Sequence, residues 1–193
     1  MAPTIVLIYG ANRGIGKGIL ELYLSKQNYT VIAVNRDPNH PSSKALADLL
    51  TAEGSSLVLV KVDATVSTDA LEAVKQLEAQ GIDHIDIVIA NAGVCYVWPK
   101  VSEVKAEDIQ GHLFETSPNS ENLSPLVLPQ DISRNQLDMP NSAYAPSKVA
   151  IHWLTKAIHR EEPTLIAFPI DPGWVQTDLG NTVLTTSALT QLL

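Results

Sequence analysis

The sequence predicts an α/β protein whose parallel sheet is covered by helices on both faces, and three observations predict it. Short Val/Ile/Leu-rich runs alternate with segments of helical periodicity. Those runs are continuously apolar rather than alternating, as strands buried on both faces require. The first run is followed at once by a glycine-rich bend that opens a helix. Repeated strand, helix, strand order folds as right-handed βαβ units in a doubly wound sheet.

In chain order, the strands are "TIVLIY" (4–9), "YTVIAVN" (29–35), "SLVLVKV" (56–62) and "HIDIVIA" (84–90), with helices expected over 14–27, 42–53 and 67–80. A helix is expected again over 99–112. The next stretch breaks the pattern, because "TSPNSENLSP" (116–125) is a polar breaker cluster and "LVLPQDISRN" allows at most a short strand cut by Pro129. Regularity returns with a helix over 142–161: Ser142 or Asn141 can cap it, and Pro146 falls early enough that its missing N–H costs little. Pro163 marks its end. "TLIAFPI" (164–170) then reads as a further strand, and "DPGWVQTDLG" as a turn leading into a short helix.

Size and composition set limits on partners. The 193 residues, 45% hydrophobic, suit one soluble domain over 1–193, with 113–140 as its atypical segment. A formal charge of −8 would repel a phosphate backbone, and no basic patch offsets it, so nucleic acid is not an expected partner. The first apolar run is too short to span a bilayer, and the start lacks a basic leader. With Cys95 as the single cysteine, a reducing, cytoplasmic setting is expected. The five histidines show no metal-ligand spacing, so no metal is expected, and Cys95 is expected to fill apolar space rather than act as a nucleophile.

"YGANRGIGKG" places Gly10, Gly14 and Gly16 between the first strand and the first helix. A diphosphate can approach unpaired backbone N–H groups there only if no side chain holds it off, and a tight turn needs positive φ; glycine meets both conditions. The acid expected at the end of the second strand, to bind a ribose 2′-OH, is absent: Asn35 and Arg36 stand there. A guanidinium can instead bind a 2′-phosphate, and Arg13 could approach the same group, so NADP(H) is favoured over NAD unless Asp37 faces the ribose.

The glycine loop, "VDAT" (62–65), "ANAG" (90–93), "YAPSK" (144–148) and "DPGWVQTD" (171–178) occur in the order found in the short-chain dehydrogenase/reductase family. The chain resembles that family over most of its length, its wording being similar to fungal carbonyl reductases and ketoreductases. The resemblance implies a Rossmann-type sheet and a cofactor site. Asn12, Arg13 and Ile15 would belong to the phosphate loop, and Asp63 with Ala64 would meet the adenine. Asn91, Ala92 and Gly93 would line the cofactor after the fourth strand, and Pro172, Gly173, Val175 and Thr177 would wrap the nicotinamide end. Asp63 has a structural alternative as a cap and Asn91 as a brace for its turn.

Tyr144 and Lys148 lie four residues apart, so both project from one helical face. The resemblance implies that Tyr144 protonates a ketone or aldehyde oxygen as hydride arrives at the carbon, while Lys148 holds the ribose. Lowering a phenol from about 10 to about 7 requires roughly 4 kcal/mol, which an ammonium at about 4 Å supplies at an effective dielectric near 20. The serine the family sets thirteen residues before the tyrosine is replaced by Asp131, leaving Ser133 as the candidate donor to the carbonyl oxygen. Asn119 or Asn122 could stand in for the family's active-site asparagine. Part of the fifth-strand region, the last strand and the substrate lid are expected to be missing, so that an impaired, NADP-binding protein or a non-functional shortened product is the alternative to an enzyme. The family's subunit pairing makes a homodimer a further expectation.

Overall fold

The computed structural model describes residues 2–116, 141–173 and 175–185. Contacts gather these residues into two compact units, one reaching Ala92 and the other starting at Gly93.

The first unit is a four-stranded parallel sheet in the order β3-β2-β1-β4, formed by β1 (Thr4–Tyr9), β2 (Tyr29–Asn35), β3 (Ser56–Lys61) and β4 (Ile87–Ala90). Successive side chains of a strand point to opposite faces, and the core divides accordingly. Ile5 and Leu7 of β1 join Ile32, Val34 and Val60 on one face, against Ala73 and Leu77 of α3 (Asp69–Ala79). Val6 and Ile8 join Val31 and Ala33 on the other, against Leu20 and Leu24 of α1 (Gly14–Leu24). Both faces are covered, which is why the strands read as unbroken apolar runs. The strand order reverses between β1 and β4, and in open parallel sheets a ligand site forms beyond the strand ends at such a reversal.

Two elements of this unit are much shorter than the sequence predicts, while α1, β3 and α3 are shorter by one to three residues. The helix expected over 42–53 is one turn, α2 (Pro41–Lys44), followed by a 3-10 turn at Ala45–Asp48. Leu49 is already extended, and the Ala52 N–H bonds the Leu24 carbonyl instead of a helical neighbour. The fourth strand begins at Ile87 because Asp86 turns its carboxylate onto the Ile5 N–H, at 2.8 Å.

The second unit contains α4 (Ala106–Thr116), α5 (Tyr144–Glu161) and α6 (Asp178–Thr185). The helix expected over 99–112 starts late because residues 100–104 form a turn closed on the Lys100 carbonyl, and Asp108 then reaches back to the Lys105 N–H. Ala143 occupies the N-cap position of α5 with no side-chain cap, displacing both predicted caps, because the Ser142 N–H is directed to the Pro99 carbonyl.

The predicted strand at 164–170 does not form among the described residues. Ile166 and Phe168 are exposed, and the local amides turn elsewhere: Leu165 N–H to the Glu162 carbonyl, Ala167 N–H to Nδ1 of His159. A strand-forming sequence needs a ladder partner, and this segment has none among the described residues. "LVL" (126–128) and Trp174 lie outside the described residues.

Candidate active site

In the first unit the bend after β1 brings together Gly10, Gly16, Asn91 and Ala92. Gly10 has φ +68°, and a Cβ there would lie 3.0 Å from Ala92 Cα. A Cβ on Gly16 would collide with the Gly10 carbonyl oxygen and with Asn91 Nδ2. Asn91 Nδ2 donates to the Tyr9 and Gly10 carbonyls, at 3.2 and 3.1 Å, and the Gly10 N–H donates to the Val34 carbonyl at 2.9 Å. Asn91 therefore fulfils the brace role. Gly14 also has positive φ, and α1 begins with no side-chain cap, so its first amides are left to another acceptor. Bare Cα positions and uncapped amides beyond β1, at the strand-order reversal, fit a dinucleotide diphosphate.

Around this bend Ile15 is half-buried and Arg13 exposed. Asn12 donates to Ser42 Oγ at 2.8 Å, tying the bend to the start of α2. At the end of β2, Asn35 is buried with its Oδ1 unpartnered, and Arg36 is exposed. Asp37 accepts from the Asn39 N–H at 2.8 Å and so serves its own turn. Asp63 accepts from the Thr65 hydroxyl and N–H, at 2.7 and 3.0 Å. Those bonds, and then the Arg36 charge, hold its carboxyl below the usual range. It caps a turn, while its own N–H donates to buried Asp69, which also pairs with Lys61 at 2.8 Å. Ala64 is half-buried beside it.

In the second unit Tyr144 and Lys148 occupy the first two turns of α5, and Lys148 Nζ lies 5.0 Å from the centre of the Tyr144 ring. Lys148 is 8% exposed and makes no hydrogen bond among the described residues. Burial pushes its ammonium down to about 8 and pushes the Tyr144 phenol up to about 12. The phenol thus moves opposite to the predicted direction: loss of water is the larger cause, and the nearby Cys95 thiol adds to it. Burial also drives the Cys95 thiol up to about 12, against the opposing pull of the Lys148 charge.

Two aromatic residues without a role in the sequence analysis, His112 and Trp98, adjoin Tyr144, and a third, Tyr96, stacks on His112. His112 is fully buried, stacks on Tyr96 with ring centres 4.3 Å apart, and meets the Tyr144 ring edge-on at 6.1 Å. Trp98 lies 5.9 Å from the same ring. The sequence signal for the stacked pair was Gly111: a Cβ there would strike the Tyr96 hydroxyl, so a glycine within α4 admits that ring. Farther on, Pro172 and Val175 are exposed, and Gly173 has positive φ with its N–H on Asp171 Oδ1. Thr177 caps α6 through the Gly180 N–H at 3.1 Å. Gly93 is half-buried at the start of this unit. Ser133, Asp131, Asn119 and Asn122 lie outside the described residues. Among the described residues, no helix is long and apolar enough to cross a membrane, and no group of His, Cys, Asp and Glu could hold a metal.

The sequence profile of the short chain dehydrogenase family matches residues 4–126. The norsolorinic acid ketoreductase nor1 of Dothistroma septosporum is 38% identical over 200 residues, covering 92% of this chain and 74% of that protein. The norsolorinic acid ketoreductase of Aspergillus parasiticus is 35% identical over 199 residues, covering 92% and 73%. The NADPH-bound carbonyl reductase from chicken fatty liver matches with a TM-score of 0.75 at 20% identity, over 93% of this chain and 83% of that one. The alcohol dehydrogenase of the archaeon Thermococcus sibiricus, complexed with 5-hydroxy-NADP, has a TM-score of 0.76 at 21% identity, over 92% and 79%. At those identities the structural likeness shows the fold.

Proposed function

Because the chain belongs to the short-chain dehydrogenase family, we propose that it is an NADPH-dependent reductase converting a ketone or aldehyde to an alcohol, with Tyr144 as the proton donor. The observation that carries this reading is the pair on α5, a buried ammonium 5.0 Å from the centre of a phenol ring. A phenol raised to about 12 stays protonated at neutral pH and so has a proton to give. Lys148, lowered to about 8, keeps its charge there and favours the phenolate that the transfer leaves. Bound reduced nicotinamide supplies the chemistry the side chains lack, a hydride for the carbonyl carbon. Ser133 is the candidate donor to the carbonyl oxygen.

Support for a dinucleotide comes from the bare bend at Gly10 and Gly16 and the uncapped amides of α1. Preference for the 2′-phosphorylated form is favoured by Arg13 and Arg36, and by the engagement of Asp37 in its own turn. A ketone substrate is favoured by the two ketoreductase relatives. A binding protein without turnover is the second reading, favoured by Asp131, an acid at the sequence position where a neutral donor is wanted. Following NADPH oxidation against aromatic and aliphatic ketones separates the two: ketone-dependent consumption supports the reductase, and saturable NADPH binding with no consumption supports the binder.

A further inference from the structure

His40 lies outside every role assigned so far, yet it is bonded into the edge of the cofactor loop. Its Nδ1 accepts from the Ser42 N–H at 3.2 Å and lies 2.7 Å from Ser42 Oγ. A backbone amide can only donate, so Nδ1 carries the lone pair and the hydrogen of the neutral ring sits on Nε2. Ser42 Oγ in turn accepts from Asn12 Nδ2 at 2.8 Å, which leaves its own hydrogen free to point at His40. The imidazole is therefore fixed in one tautomer by a chain of bonds that ends in the glycine bend.

That chain joins the two segments carrying the arginines. Asn12 precedes Arg13 in the bend, and the His40 N–H closes a turn on the Asp37 carbonyl directly after Arg36. The ring is exposed, and among the described residues its Nε2–H has no partner. The Asp37 carboxylate, the nearest acid in sequence, is turned onto the Asn39 N–H. Resting on the NADPH reading above, we propose that His40 Nε2–H is a third donor, beside Arg13 and Arg36, to the phosphate on the adenosine 2′ position. His40 would then be a specificity residue for the phosphorylated cofactor.

Two substitutions separate this donor from its structural role. The His40→Asn change keeps a short acceptor for the Ser42 N–H but sets its amide N–H groups back at the δ position, short of the place of Nε2–H, whereas His40→Gln carries an amide N–H out to the ε position and sacrifices the cap. The affinities of the full chain for adenosine 2′,5′-bisphosphate and for 5′-AMP are measured by calorimetry, with melting temperatures checking the fold. The expected result is a roughly five- to tenfold weakening of bisphosphate binding in His40→Asn, with 5′-AMP binding within about twofold of the parent and His40→Gln closer to the parent. Unchanged bisphosphate affinity in His40→Asn, or equal loss for both ligands, overturns the role of His40 while leaving the NADPH reading intact. A parent chain that binds 5′-AMP as well as the bisphosphate overturns the NADPH reading, and this inference with it.

Discussion

The Lys148 ammonium lies 5.0 Å from the centre of the Tyr144 ring, and among the described residues it has no hydrogen-bond partner. A desolvated charge without a hydrogen-bond partner among the described residues is costly to the fold, and a site that tolerates the cost does so for what the charge accomplishes there. Burial lowers the lysine from 10.5 to about 8, equivalent to roughly 3 kcal/mol of lost stability while the group is charged.

That cost has a defined pH window. Below about 8 the lysine is protonated in both folded and unfolded chains, so the cost is fully present. Between about 8 and 10.5 the unfolded chain holds the extra proton, so folded stability rises with pH through this group. Lys148→Met should be more stable than the parent at pH 7, by up to about 3 kcal/mol, and the gap should close as pH rises toward 10.5. Urea unfolding of both proteins across this range measures it. A gap that stays constant with pH contradicts the buried charge.

The bend after β1 should distinguish two nearby glycines. Gly16→Ala forces a methyl into the Gly10 carbonyl and the Asn91 amide, and is expected to cost about 1–3 kcal/mol and to weaken NADPH binding. Gly18→Ala, on the same helix with nothing near its Cβ position, is expected to gain about 0.5–1 kcal/mol and leave binding unchanged. Thermal unfolding and a cofactor titration of the two variants check both halves.

Cys95 should resist alkylation. Its thiol, pushed up to about 12 by burial, carries almost no thiolate at pH 8. Iodoacetamide labelling followed by mass spectrometry should be slow in the native chain and fast in urea. Rapid native labelling would place the cysteine in a different environment.

The first unit was legible because its signals are local. β2 spans Tyr29–Asn35 as predicted, since each apolar run has a neighbour to pair with and a helix over each face. The glycine spacing likewise reported a bend whose geometry excludes side chains at Gly10 and Gly16. What escaped depended on distant partners. "TLIAFPI" has every property of a strand, but strand formation is a property of a ladder, and its amides went to His159 and Glu162. The predicted fall in the Tyr144 pKa followed from one charge at an assumed distance. Desolvation by surrounding residues, invisible in the spacing of Tyr144 and Lys148, reversed its direction. His112 was passed over for want of metal-ligand spacing, because its stacking on Tyr96 depends on packing across 16 residues of chain.

Tyr144→Phe removes one hydroxyl from α5 and should leave NADPH affinity within about twofold of the parent, because the lysine and the glycine bend are untouched. Its turnover on any ketone the parent reduces should fall by roughly two to four orders of magnitude, the usual contribution of a positioned acid. Steady-state kinetics with a parallel binding titration give both quantities. Equal turnover would remove Tyr144 from the reaction.

The most direct test follows the hydrogen itself. NADPH deuterated at the nicotinamide carbon that gives up its hydride is incubated with the full chain and a ketone panel, and the alcohols are analysed by mass spectrometry. One deuterium is expected on the carbinol carbon with the parent chain and next to none with Tyr144→Phe. Saturable NADPH binding with no deuterium delivered to any carbonyl would rule out a reductase, and delivery undiminished in Tyr144→Phe would rule out Tyr144 as its proton donor.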